Sequence, residues 1–203
     1  MTPRVILIIV TGLIAGALAA LNVVSRPPPN LPAQTTSSGQ ALIGGPFSLA
    51  DTAGLPVTDK TYAGQPMLVY FGFTHCPDIC PSGLQVISAA LDKLGPGAAK
   101  VSPLFITLDP ERDTGPKLGE YLKSFHPRLI GLTGSPDAIA GVTKAYRVYA
   151  KKVASDTGSG DYSIDHSGFM YLMDADGKYV THFPHNVSAE QLSAKLAELL
   201  AKS

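Results

Sequence analysis

The apolar run Met67-Leu68-Val69-Tyr70-Phe71 leads into Cys76-Pro77-Asp78-Ile79-Cys80-Pro81, and a helix-patterned stretch follows from Ser82 to Leu94. A buried strand, a tight connection and an amphipathic helix in that order point to a fold that lays helices on a sheet. The same alternation continues. Strands are expected at Val101–Leu108 and Leu129–Leu132, with helices at Pro116–Phe125 and Pro136–Val148. Before the unit, a hairpin is expected from Phe47–Ala50 and Pro56–Thr58 about Asp51-Thr52-Ala53-Gly54. After it come strands Phe169–Asp174 and Tyr179–Phe183, turning at Ala175-Asp176-Gly177. Ser188 with Gln191 three residues on reads as the capping box of a last helix. The pattern suits an α/β three-layer domain with a central sheet flanked by helices.

Cys76 and Cys80 are the only cysteines in 203 residues. At a helix start, unpartnered backbone N–H groups and the positive dipole end favour thiolate over thiol. Pro77 and Pro81 donate no backbone N–H, which suits a first helical turn. The spacing is C-x3-C, one residue wider than the C-x-x-C of redox motifs, and leaves room for an ion between the sulfurs. Two readings follow: a disulfide in an exported protein, or two soft ligands for one metal.

The best third ligand is His166, in the loop before the apolar run Phe169-Met170-Tyr171-Leu172-Met173. Asp165 beside it is placed to orient the loop or a ring N–H. Two thiolates and an imidazole form a soft, three-coordinate set. It favours copper(I) and tolerates copper(II), whereas zinc would want a fourth ligand. The other histidines are weaker candidates. His75 would point off another face of the turn, His126 sits at a helix end, and His182 and His185 read as a solvated loop. The segment Asp109-Pro110-Glu111-Arg112-Asp113-Thr114 follows a buried strand and opens a helix. Its charges read as loop solvation with Asp113 or Thr114 as N-cap; the alternative is a surface facing a partner.

With these residues in view, the chain resembles the Sco/SenC family, copper-binding proteins that assemble cytochrome c oxidase. The resemblance runs from Gly45 to Ala201. It rests on Phe73-Thr74-His75-Cys76-Pro77-Asp78-Ile79-Cys80-Pro81 and Asp165-His166-Ser167, with support from Asp109 through Thr114. It implies a thioredoxin-like fold over 45–203 and one copper ion, Cu(I) or Cu(II), held by Cys76, Cys80 and His166. It further implies delivery to the dinuclear CuA centre of cytochrome c oxidase subunit II, a periplasmic copper donor and a thiol reductant. The alternative is a thiol–disulfide oxidoreductase in which Cys76 and Cys80 reduce the target's cysteines before metallation. A peroxidase is a weaker reading still, because Phe73 stands where a peroxiredoxin places threonine, three residues before the reactive cysteine.

Val5 to Val24 carries no charge and would run about 30 Å as a helix, enough to cross a bilayer core. It is expected to be a transmembrane anchor, with residues 1–4 cytoplasmic and 25–44 a Pro/Ser/Thr-rich tether. Ala17-Leu18-Ala19 also has the small-x-small form of a signal-peptide cleavage site. The expected location is therefore a bacterial inner membrane, with the C-terminal domain in the periplasm. The 16 basic and 16 acidic residues balance, and no basic block suits a nucleic acid.

Overall fold

The computed structural model describes residues 42–154 and 162–202. The expected anchor at 5–24 and nearly all of the tether lie outside them. Among the described residues no helix is long and apolar enough to cross a membrane.

Among the described residues there are nine strands and four α-helices. In chain order they are β1 (Ser48–Asp51), β2 (Pro56–Thr58), β3 (Met67–Gly72), α1 (Ile79–Leu94), β4 (Ser102–Thr107), α2 (Gly115–Leu122), β5 (Ile130–Thr133) and α3 (Pro136–Ala145), followed by β6 (Ala150–Ala154), β7 (Tyr162–His166), β8 (Phe169–Met173), β9 (Tyr179–Pro184) and α4 (Ala189–Leu200). Seven strands form one mixed sheet in the order β2-β1-β5-β4-β3-β8-β9, and β6 and β7 form a separate two-stranded ribbon. The central strands β3 and β4 are buried along their whole length. Their side chains alternate between two cores, as a pleated strand requires. Val69, Phe71, Leu104 and Ile106 face the core closed by Ile139 and Val142 of α3. Leu68, Tyr70 and Phe105 face the core built with α1, α2 and α4.

Helix α1 is held by packing rather than by its cap. Asp78 at the N-cap makes no side-chain cap bond. Leu84, Ile87 and Leu91 are buried, and each contributes about 1.5–3 kcal/mol, against about 1 kcal/mol for a good cap. The Tyr70 hydroxyl adds a donor, bonding the carbonyl of Ile79 at 3.1 Å. Gly83 leaves room for that ring, since a Cβ there would lie 2.6 Å from the Tyr70 hydroxyl.

The central α/β pattern agrees with the sequence expectations, and Ser188 and Gln191 form the reciprocal capping box. Three differences have physical reasons. Helix α1 begins at Ile79, three residues before the apolar periodicity, so Cys80 is helical and Cys76 is not. Helix α3 stops at Ala145 rather than Val148 because Arg147 adopts φ 55°. The Val148 N–H then reaches the Thr143 carbonyl and that of Arg147 the Lys144 carbonyl, the paired bonds of a left-handed helix end. The β6–β7 ribbon is not among the strands expected from sequence, because the adjacent Lys151 and Lys152 break any alternation in β6 and β7 offers only the short pair Tyr162 and Ile164. His166 therefore ends a strand instead of lying in a loop. His182 likewise lies in β9, bonded to the Tyr179 hydroxyl at 2.5 Å, and His185 is half-buried against Gly168.

Candidate metal centre

Strand register brings the candidate ligands together. Strand β8 runs antiparallel to β3 with Tyr70 opposite Met170. The residues leaving β3 therefore emerge at the sheet end from which β8 starts. Cys76 follows β3, Cys80 lies in the first turn of α1, and His166 precedes β8 by three residues. Cys76 and His166 are far apart along the chain, and one pair of neighbouring strands closes the gap.

The ligand atoms of Cys76, Cys80 and His166 all lie within 4.8 Å of one another. Nε2 of His166 is 3.6 Å from Cys80 Sγ. Its Nδ1 is 3.1 Å from the carbonyl oxygen of Ser167, which can only accept. That assigns the proton to Nδ1 and leaves the Nε2 lone pair facing the sulfurs. The edge of Phe73 against the imidazole, at 5.9 Å between centroids, further limits the ring. From sequence, Asp165 is placed to orient the loop or a ring N–H. In the structure the Ser167 carbonyl meets Nδ1, while Asp165 is exposed and lines the cleft at the site's mouth.

The two sulfurs differ. Cys80 is fully buried, whereas Cys76 is half-exposed. The Cys80 backbone N–H donates to Cys76 Sγ at 3.4 Å, so the sulfur occupies the helix-start position that the Asp78 side chain leaves open. Hydrogen bonding from the Cys80 side chain, aided by backbone N–H groups, lowers the Cys76 thiol to about 4. The same hydrogen bond, together with burial and the neighbouring Cys76 charge, raises Cys80. The metal-free pair thus shares one proton, held on Cys80, with thiolate on Cys76.

A cleft of about 380 Å³ opens onto Cys76 and His166, bounded by Phe73, Ile79, Tyr149 and Asp165. Ile79 and Tyr149 are among the large apolar residues most exposed to solvent. Two soft sulfurs and a free imidazole nitrogen, converging beside an open cleft, fit a copper ion as cargo.

The Asp109–Thr114 segment departs from the expected solvated loop. Asp109 and Asp113 are completely buried. Thr114 is the N-cap of α2 but makes no side-chain cap bond. Asp113 accepts from the Thr74 backbone N–H at 3.0 Å, the Thr74 hydroxyl at 2.5 Å and the Thr107 hydroxyl at 2.7 Å. Asp109 pairs with Arg112 and accepts from the Tyr162 hydroxyl at 2.7 Å. The sequence signal for this was the position of the charges, directly after a strand that is buried throughout.

A SCO1/SenC family profile matches residues 35–201. The chain is 48% identical to the mitochondrial SCO1 homolog 1 of Arabidopsis thaliana, over 77% of this chain and 47% of that protein. It is 42% identical to the SCO2-like protein of Rickettsia prowazekii, over 92% of both. Bradyrhizobium japonicum ScoI, solved with copper bound, superposes with a TM-score of 0.72 at 49% identity, covering 77% of this chain and 99% of that one. The chain spans about half the length of the plant, mouse and human relatives it matches. A profile match across the whole described domain and this degree of identity to several relatives place the chain in the SCO1/SenC family.

Proposed function

We propose that this protein is a copper metallochaperone that binds one copper ion through Cys76, Cys80 and His166 and assists assembly of the CuA centre of cytochrome c oxidase subunit II. The convergence of those three ligand atoms within 4.8 Å, in a member of a family with copper-bound structures, carries the reading. Three ligands leave a coordination position for an incoming thiolate, which lets cargo pass to a target without first being released to water. The exposed Ile79 and Tyr149 beside the cleft give such a target an apolar rim to seat on.

The test is copper titration of the purified, reduced protein. One equivalent should bind. Cys76→Ala and Cys80→Ala should each weaken copper(I) most, and His166→Ala should weaken copper(II) most. Unchanged stoichiometry and affinity in His166→Ala would show that the third ligand has been misassigned. Oxidation of the pair to a disulfide should abolish binding, because thiolates are the ligands.

The unequal cysteines support a second role, as a thiol–disulfide oxidoreductase. The half-exposed Cys76 thiolate attacks a target disulfide, forming a mixed disulfide and expelling one target thiolate. The Cys80 thiolate, after losing its proton, attacks Cys76 Sγ and releases the second target thiolate. Two electrons pass to the target, and a thiol reductant regenerates the pair. Assaying reduction of an oxidised CuA domain by Cys80→Ala separates this role from delivery: trapped mixed disulfide supports it, and undiminished turnover sinks it.

A further inference from the structure

Each half of the metal site is bonded to the same short turn. The turn between β4 and α2 begins at Asp109, two residues after Thr107, which pairs with Gly72 at the end of β3. It therefore sits at the sheet end that carries the ligands. On one side the Asp113 carboxylate accepts three hydrogen bonds from threonines, and two of these come from Thr74, two residues before Cys76. The Thr107 hydroxyl, which donates to Asp113, also accepts the Asp109 backbone N–H at 2.9 Å and so ties the start of the turn to its end. On the other side, Arg112 lies over the Tyr162 ring at 3.7 Å and donates to the Tyr162 carbonyl at 2.9 Å. The Tyr162 hydroxyl returns to Asp109, and Lys152 of β6 bonds Glu111 at 2.7 Å. Tyr162 and Lys152 belong to the ribbon that ends in His166, and that ribbon is not paired to the main sheet.

We propose that the Asp109–Asp113 turn positions both halves of the metal site, Asp113 fixing the cysteine loop through Thr74, and Asp109 with Arg112 fixing the His166 strand through Tyr162. Buried carboxylates are expensive unless fully bonded, so their bonds tolerate little displacement. The cysteine loop and the ribbon have no ladder between them; β8 beside β3 brings His166 to this sheet end, and the shared turn braces the two segments once they are there. Loosening one branch should move one kind of ligand. The cysteine branch carries the thiolates that both valences need, and the ribbon branch carries the imidazole that matters more to copper(II).

This inference rests on ligation by Cys76, Cys80 and His166, and the experiment separates the two. Full-length protein is compared as wild type, Thr74→Val, Thr74→Ser, Arg112→Gln and Tyr162→Phe. Leu196→Ala, at a buried position of α4, serves as a destabilised control outside the turn and both of its branches. In the reduced, metal-free state, Thr74→Val should change the Cys76 alkylation rate, and Thr74→Ser, which keeps the hydroxyl, should restore it. Arg112→Gln and Tyr162→Phe should instead speed amide exchange from Ser163 to His166. With copper, Thr74→Val should weaken both valences. Arg112→Gln should weaken copper(II) by about tenfold and shift the thiolate-to-copper(II) charge-transfer band, with copper(I) affinity changed by less than about threefold. The proposal is overturned if Val and Ser at position 74 behave alike. It is also overturned if the Arg112 and Tyr162 variants lower both valences in one ratio, as Leu196→Ala does. A wild type that takes no copper would refute the ligation reading, and the alkylation and exchange measurements would still decide the role of the turn.

Discussion

At the residue scale, Gly72 shows how closely the site is packed. A Cβ at this position would meet Cys80 Sγ and Phe105 Cε2, each at 2.8 Å. Neither neighbour has space to retreat, since Phe105 and Cys80 are both fully buried. Gly72→Ala should cost about 1–3 kcal/mol, the usual scale of overpacking, and weaken copper binding by displacing the sulfur. Gly141 on α3 is the contrast, because a Cβ there would have nothing within 4 Å. Gly141→Ala should stabilise by about 0.5–1 kcal/mol with copper binding unchanged. Denaturant unfolding and copper titration of both variants check the pair, and equal behaviour would refute the contact at Gly72. Cys76 supplies a pH prediction. Its thiol is lowered from 9.0 to about 4, so the thiolate persists well below neutrality in the folded protein. Alkylation of Cys76 in reduced, metal-free protein should still be fast at about pH 6 and decline only as pH falls toward 4. The sign for stability follows: this thiolate's contribution is complete above the unfolded thiol's pKa and is lost as pH falls through the folded one. An alkylation midpoint near that of an ordinary thiol, about 8.5, would contradict this account.

At the element scale, the readable features were those with strong local rules. The fully buried strands announced themselves as apolar runs, and the capping box at Ser188 was legible from two residues. Its bonds are present, Gln191 N–H to Ser188 Oγ at 3.2 Å and Ser188 N–H to Gln191 Oε1 at 3.4 Å. Ser188→Ala should therefore cost about 1 kcal/mol by chemical denaturation, and copper affinity should not move because Leu192 and Leu196 of α4 pack in a different core from Cys80. A change in copper affinity would mean that α4 supports the site. The β6–β7 ribbon escaped sequence reading because it buries little, Ile164 being its one buried side chain, and β6 has no alternation to betray it. Its stability comes from pairing between its strands, from the buried Ile164 and from Arg112 and Lys152 over the Tyr162 ring. The buried aspartates escaped for a related reason. A charged run after a strand looks like solvent-facing turn, and only the parallel pairing of β3 with β4 tucks it beneath the cysteine loop.

At the scale of the whole molecule, the three candidate ligands were legible from two short motifs, but their meeting was not. Spacing along the chain gives Cys76 and Cys80 one turn of separation and leaves His166 anywhere. Its location is decided by the antiparallel placement of β8 beside β3, a property of sheet order that periodicity does not encode. The N-terminal segment is the remaining large-scale feature, and it is argued from sequence alone. Val5 to Val24 has the length and apolarity of a bilayer span, with Arg4 before it. Full-length protein expressed in a Gram-negative host should sediment with inner membranes and resist carbonate extraction. Protease added to the periplasmic side should cut first within residues 25–44, where Pro27-Pro28-Pro29 and Thr35-Thr36-Ser37-Ser38 offer little apolar surface to pack. If residues 25–44 act as a tether, about 20 flexible residues would spread over roughly 25 Å, and that span would limit the reach toward a membrane-bound target. Shortening it should impair oxidase assembly while leaving copper titration of the purified protein unchanged. A mature N-terminus at Ala20 or Leu21 by terminal sequencing would overturn the anchor. The copper-binding domain would then be released as a free carrier, and the length of the 25–44 segment would cease to matter for assembly.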